Sequence, residues 1–240
     1  MKSINTRLQE MTNKLSSKEL FESNGLGNEI NFHVFDYDPE DEYIVREYLE
    51  NYLLNGENPN ELKRRNIEEN LIHHKKIGSV KRVNSPIFRR LSVLNEELLD
   101  DLVHSDIENS KFILLYAIMK TDKLVRDFII EVYKDKLLMR KEYIEKFDID
   151  NWYEEKCILS QTLKERTEST SAKLKQVIMK ILQDSGLVVK EKDRFKIIRP
   201  LLKEKYIRQL DVNGDIEYAK AIGGLVWEVL MIDYRKWRKK

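Results

Sequence analysis

What the chain lacks narrows its class before anything it contains. A single cysteine, Cys157, excludes an intrachain disulfide framework and any cysteine-built zinc site. It suits a reducing compartment, and a cytoplasmic location is expected. Only four prolines and eight glycines punctuate 240 residues, and residues 111–140 contain neither. So few breakers call for long helices and few tight turns. No run approaches about 18 uninterrupted apolar residues, so no membrane span is expected. Residues 1–20 hold no apolar h-region, so no secretory leader is expected either. There is no internal repeat and no low-complexity tract. Charge of one sign is also missing: 43 Lys and Arg against 42 Asp and Glu leave a net charge of +1.

What is present is a globular composition, 41% hydrophobic and 35% charged, long enough for one large domain or two small ones. The near-zero total hides a strong segregation of sign. Residues 29–50 hold eight acidic residues and one basic residue, Arg46. Residues 61–90 hold nine Lys and Arg against three Glu. Residues 168–208 hold eleven against five, and the chain closes on Arg235, Lys236, Arg238, Lys239 and Lys240. A phosphate backbone responds to local potential, so the segregation matters more than the sum.

Periodicity places the elements. Ile30 to Phe35 alternates and is aromatic-rich, which predicts a strand. Pro39 then opens a helix faced by Ile44, Tyr48, Tyr52 and Leu53 and ended at Asn55-Gly56. Asn60 caps a second helix through Leu62, Ile67 and Leu71. Ser79 caps a third, with Val83, Ile87, Leu91 and Leu94 on one face and Pro86 splitting it near Asn84-Ser85. Residues 112–141 are strongly helical, with a junction at Thr121-Asp122 where Thr121 caps the second part. A further helix begins near Trp152, and Ser160 to Arg166 is a connector or short helix. Leu174, Val177, Ile178, Ile181 and Leu182 make a helix that stops at Ser185-Gly186. Two short strands follow around Lys192-Asp193 and end at Pro200. The expected fold is mainly α: a helical bundle with an N-terminal helix-turn-helix unit and a C-terminal winged-helix-like unit carrying a short β-hairpin. Its expected parts are an extension with one strand over residues 1–42, a helix-turn-helix domain over 43–104, and a helical domain with the winged-helix-like module over 105–240.

Two basic constellations stand out. In the helix-turn-helix, Lys75, Lys76, Lys81, Arg82, Arg89 and Arg90 can lie away from the apolar stripe, with Ser79 as a helix-start donor. Seated against a duplex they would displace counterions from phosphates. The alternative is a solvated helical surface. In the second constellation, Ser169 and Thr170 at a helix start are joined by Lys173, Lys175 and the hairpin cations, and contact with DNA or with protein remains open. No catalytic or metal signature emerges, and no cofactor is expected. Strand-Asp-x-Asp at Asp36 and Asp38 is the arrangement by which haloacid-dehalogenase-like phosphatases hold magnesium, but Glu40 stands where that pattern needs a hydroxyl. Helix capping accounts for these acids more simply. His73 and His74 are adjacent and cannot share one helical face, and Gly25-Leu26-Gly27-Asn28 precedes a strand instead of following one.

The residues Asn70-Leu71, Ser79, Lys81-Arg82 and Arg90-Leu91, then Ser169-Thr170, Lys173-Leu174, Val177, Ile181-Leu182, Gly186-Leu187 and Arg199-Pro200, together resemble a known pattern. From about Tyr43 to Leu210 the chain is similar to the BrxA family, the A component of BREX phage-defence systems. The resemblance implies an all-α protein with helix-turn-helix and winged elements. It also implies non-enzymatic binding of double-stranded DNA beside other BREX components. An interaction scaffold within the same complex, without direct DNA contact, is the alternative. Residues 21–49, with Gly25-Leu26-Gly27-Asn28-Glu29-Ile30 and Phe35-Asp36-Tyr37-Asp38-Pro39, are similar instead to the opening of BrxB, another BREX component.

Overall fold

Helices dominate because the chain supplies apolar stripes at helical spacing and caps at their starts. The computed structural model describes residues 89–223, together with Arg64, Arg65, residues 67–69 and Pro86. The expected strand over residues 30–35, the helix opened by Pro39 and most of the helix-turn-helix lie outside the described residues. Two compact units divide between Thr121 and Asp122.

In the first unit, Arg64, Arg65, residues 67–69, Pro86 and residues 89–91 are helical. Leu91 and Leu94 are buried, as the expected stripe requires. Helix α1 (Glu96–His104) starts where the Asn95 side chain accepts from the Leu98 N–H at 2.9 Å. Glu96 and Glu97 then occupy its positive end, and His104 its negative end. Helix α2 (Ile107–Thr121) is buried continuously from Phe112 to Met119. An apolar surface all round a helix belongs in an interior. Ser110 Oγ donates to the Leu102 carbonyl at 3.2 Å, tying α2 to α1.

The second unit opens with a helix in three parts: α3 (Lys123–Phe128), a π-helical turn (Ile129–Tyr133) and α4 (Lys134–Leu138). The sequence assigns the cap at its start to Thr121. Asp122 takes that role instead, accepting from the Leu124 and Val125 N–H groups at 3.1 Å. The Thr121 hydroxyl turns back and donates to the Ala117 carbonyl at 2.8 Å, which completes α2. Arg140, at φ 55°, ends α4. The two-residue strand β1 (Tyr143–Ile144) follows, then α5 (Lys146–Leu159), α6 (Gln161–Lys164) and α7 (Glu168–Asp184). Strands β2 (Val188–Glu191) and β3 (Arg194–Ile197) form the expected hairpin, with Glu191 opposite Arg194 across Lys192-Asp193. β1 adds to the other edge of β3, pairing Tyr143 with Lys196, to give a three-stranded antiparallel sheet of order β1-β3-β2. Helices α8 (Glu204–Val212) and α9 (Ile216–Gly223) complete the described chain.

The core of this unit sits between the first helix, α5, α7 and α9. Phe128 meets Trp152 edge-on at 4.9 Å between ring centroids. Tyr133 Oη donates to the Ile198 carbonyl at 2.7 Å, and the Ile222 carbonyl lies 3.4 Å away. Helix α5 starts earlier than its sequence suggests. Asp148, ahead of the expected start near Trp152, closes a capping box with Glu145 and takes an ion pair from Lys136 at 2.6 Å. Among the described residues no helix is long and apolar enough to cross a membrane.

A candidate nucleic-acid interface on α7 and the hairpin

Helix α7 has two faces of opposite character. Leu174, Val177, Ile178, Ile181 and Leu182 are buried. Ser169, Ala172, Lys173, Gln176 and Lys180 are exposed and recur at helical spacing on the other side. The helix is capped by Thr167, two residues before the hydroxyl pair Ser169 and Thr170 that the sequence points to. Thr167 Oγ1 accepts from the Thr170 N–H at 3.3 Å. It lies 2.8 Å from Thr170 Oγ1 and 3.1 Å from Ser169 Oγ. Ser169 is exposed and Thr170 half-buried, so the first turn presents hydroxyls already organised by their neighbour.

The charges around α7 divide into those committed within the fold and those left over. Lys175 forms an ion pair with Asp150 and lies over the Tyr153 ring at 5.7 Å. Lys180 pairs with Asp184 at 2.9 Å. On the hairpin, the Arg194 guanidinium stacks 3.6 Å from the Tyr143 ring centroid. Tyr143 Oη donates to Glu191 Oε2 at 3.2 Å, and Glu191 also faces Lys196 at 3.8 Å. Lys164, Arg166, Lys173, Lys190 and Lys192 take part in no ion pair among the described residues. The hairpin turn itself is strained, because Lys192 sits at φ 54°, a conformation that L side chains adopt reluctantly. It carries its ammonium to the tip.

The residues singled out in the sequence fare unequally. Lys75, Lys76, Ser79, Lys81 and Arg82 lie outside the described residues. Arg89 is half-buried and Arg90 buried, only 2% exposed. Expected on an outer face, Arg90 packs inside next to Leu91 and offers no surface to a phosphate. Lys173 keeps the exposure expected of it, whereas the Lys175 charge is already answered by Asp150. Sequence reasoning passed over Lys164, Arg166 and Gln176. The signal was available for Gln176, which follows Lys173 by three on the polar side of a clear stripe.

Among the described residues no group of three His, Cys, Asp or Glu side chains could hold a metal ion. Cys157 is half-buried, and burial, with Glu154 beside it, pushes its thiol up despite the opposing charge of Lys175. A thiol held protonated in this way is a poor nucleophile.

Among the described residues the architecture defines a mainly helical protein with a small three-stranded antiparallel sheet. A solved structure of an uncharacterized protein from Magnetospirillum magneticum has the same fold, with a TM-score of 0.63 at 18% identity over 76% of this chain and 92% of that one. The family is more specific than the fold: the BrxA family model matches residues 45–214, and the chain belongs to the BrxA family. It is 34% identical to the BREX protein BrxA of Bacillus cereus strain H3081.97 over 164 residues, which is 68% of this chain and 82% of that protein. A shorter likeness, 49% identity over 49 residues, links it to the BREX protein BrxB of the same strain and spans 26% of that relative.

Proposed function

We infer that the chain is a non-enzymatic accessory of a BREX phage-defence system that binds double-stranded DNA in the cytoplasm. The observation that carries this reading is the excess of cations outside any ion pair around α7 and the hairpin: Lys164, Arg166, Lys173, Lys190 and Lys192 against Glu165, Glu168 and Asp193 among the described residues. Asp150, Asp184 and Glu191 are taken up by Lys175, Lys180 and Lys196, which leaves the cations in the majority. The element order helix, strand, three helices, strand, strand, with the four-residue α6 as the turn between α5 and α7, supports reading residues 123–197 as a winged helix. Helix α7 is then the groove-facing element and Lys192-Asp193 the wing tip. The helix-turn-helix over residues 43–104 supplies a second contact through Lys75, Lys76, Ser79, Lys81, Arg82 and Arg89. Ser169, Thr170 and Lys173 serve the first.

The test is retention of labelled duplex at low and at moderate salt. Affinity should fall steeply with salt, and replacing Lys81 and Arg82 together by Ala should weaken binding to all sequences alike. No retention at low salt would refute the reading. One observation favours a scaffold role beside it: Phe147, Ile158 and Leu159 on α5 are 60%, 82% and 80% exposed, next to Glu154 and Glu155. Co-purification with another BREX component that survives nuclease treatment, from a protein indifferent to free DNA, would establish that role instead.

A further inference from the structure

We propose that the outward face of α7 reads sequence, with Gln176 contacting an adenine edge in the major groove of duplex DNA. The proposal rests on the DNA-binding reading above and deepens it. Three features of the surface converge on this face. Gln176 is exposed, lies beside the buried pair Val177 and Ile178, and makes no hydrogen bond among the described residues. Its neighbours one and two turns back, Ala172 and Ser169, are small and exposed, which allows the helix backbone to approach a groove floor. The unpaired cations stand on the same helix at Lys173, ahead of it at Lys164 and Arg166, and on the hairpin at Lys190 and Lys192.

The chemistry then divides the work. Ammonium and guanidinium groups without an internal partner go to phosphates, which fix position but carry no sequence. A carboxamide has an acceptor oxygen and a donor nitrogen side by side, and adenine offers the complementary N6 donor and N7 acceptor in the major groove. Gln176 is the exposed α7 side chain with that paired function. The charge complementarity is local, since Asp150, Asp184 and Glu191 are already held by Lys175, Lys180 and Lys196.

The experiment is selection of bound duplexes from a randomised library by the full chain, followed by salt titration of the selected sequences. The wild-type chain should enrich a site with a fixed adenine. Gln176→Ala should cost about tenfold or more in preference at that position and leave the salt slope unchanged. Gln176→Lys, equally exposed, should shift the position toward guanine. Lys190→Ala with Lys192→Ala should weaken every duplex alike and flatten the slope by about 2, with the preference intact. If Gln176→Ala selects the same sequences as wild type, or if wild type retains duplex without any preference, base reading by Gln176 is wrong and DNA binding stands. If wild type retains no duplex at all, the DNA-binding reading falls with it.

Discussion

Tyr133 joins three parts of the second unit through one oxygen, donating to the Ile198 carbonyl after the hairpin and lying near the Ile222 carbonyl of α9. Burial pushes its phenol well above the usual value of 10.0, and the nearby Arg199 guanidinium opposes this only in part. The folded state therefore keeps its proton where the unfolded chain loses it. Stability from this group is complete below pH 10 and is lost as pH rises further. Tyr133→Phe should cost about 1 kcal/mol at pH 8 through the lost hydrogen bond. In urea titrations at pH 8 and pH 11 that gap should narrow, because phenylalanine has nothing to ionise, and a constant gap would contradict the assignment. Gln209 poses the opposite case. It is 8% exposed on α8, and neither its Nε2 nor its Oε1 finds a partner among the described residues. Replacing it by Met removes an unmet amide while filling similar volume, and should raise stability by about 1 kcal/mol. A loss measured by thermal melting would show that the amide is satisfied after all. Arg90 shows why single residues resist sequence reading: a run of basic residues records charge, and burial depends on neighbours distant in the chain.

Among the elements, α7 and the hairpin were the most legible, because stripe, terminal glycine and alternating strands arrive in order. Gly186 ends α7 at φ 79°, with Leu187 N–H reaching the Leu182 carbonyl at 2.8 Å and Gly186 N–H the Gln183 carbonyl at 3.0 Å. Arg140 closes α4 in the same manner, through Lys141 to Lys136 and Arg140 to Leu137, but with a side chain in the left-handed region. A Cβ at Gly186 would meet nothing within 4 Å, so Gly186→Ala tests the backbone alone. It should destabilise by about 1 kcal/mol, and Arg140→Gly should stabilise by a similar or smaller amount, both by urea denaturation. Equal and null effects would mean that neither end carries strain. Other elements were hidden for physical reasons. β1 is only two residues long and exists because β3 offers it an edge. α8 puts Gln209 on its buried side among Tyr206, Ile207 and Leu210, which breaks the stripe a reader looks for. The start of α5 was missed because an acid at the third helical position looks like a turn residue when its capping partner is not recognised.

For the whole molecule, the net charge of +1 predicts almost no attraction to a polyanion. The arrangement of that charge predicts the reverse. Five unpaired cations around α7 and the hairpin, each neutralising one phosphate, give a slope of log affinity against log salt of about −4.5. Contacts from the helix-turn-helix should make it steeper. A slope near zero in filter-binding titrations would show that the basic surface faces something other than a phosphate backbone. The mainly helical class was legible from the scarcity of breakers, and the family from ordered motifs. The site was legible only in outline, since the sequence displays the cations but not the carboxylates that already hold some of them.

The π-helical turn at Ile129–Tyr133 carries a lesson for comparing relatives. Successive residues of an α-helix stand about 100° apart, so one residue accommodated in a wide turn rotates everything after it by that angle. Tyr133, whose hydroxyl donates to the Ile198 carbonyl, is the last residue of this turn. A homologue one residue shorter between Phe128 and Lys134 would therefore be neither a trivial gap nor a lost element. It would be a helix wound straight, with its clasp to the hairpin turned away.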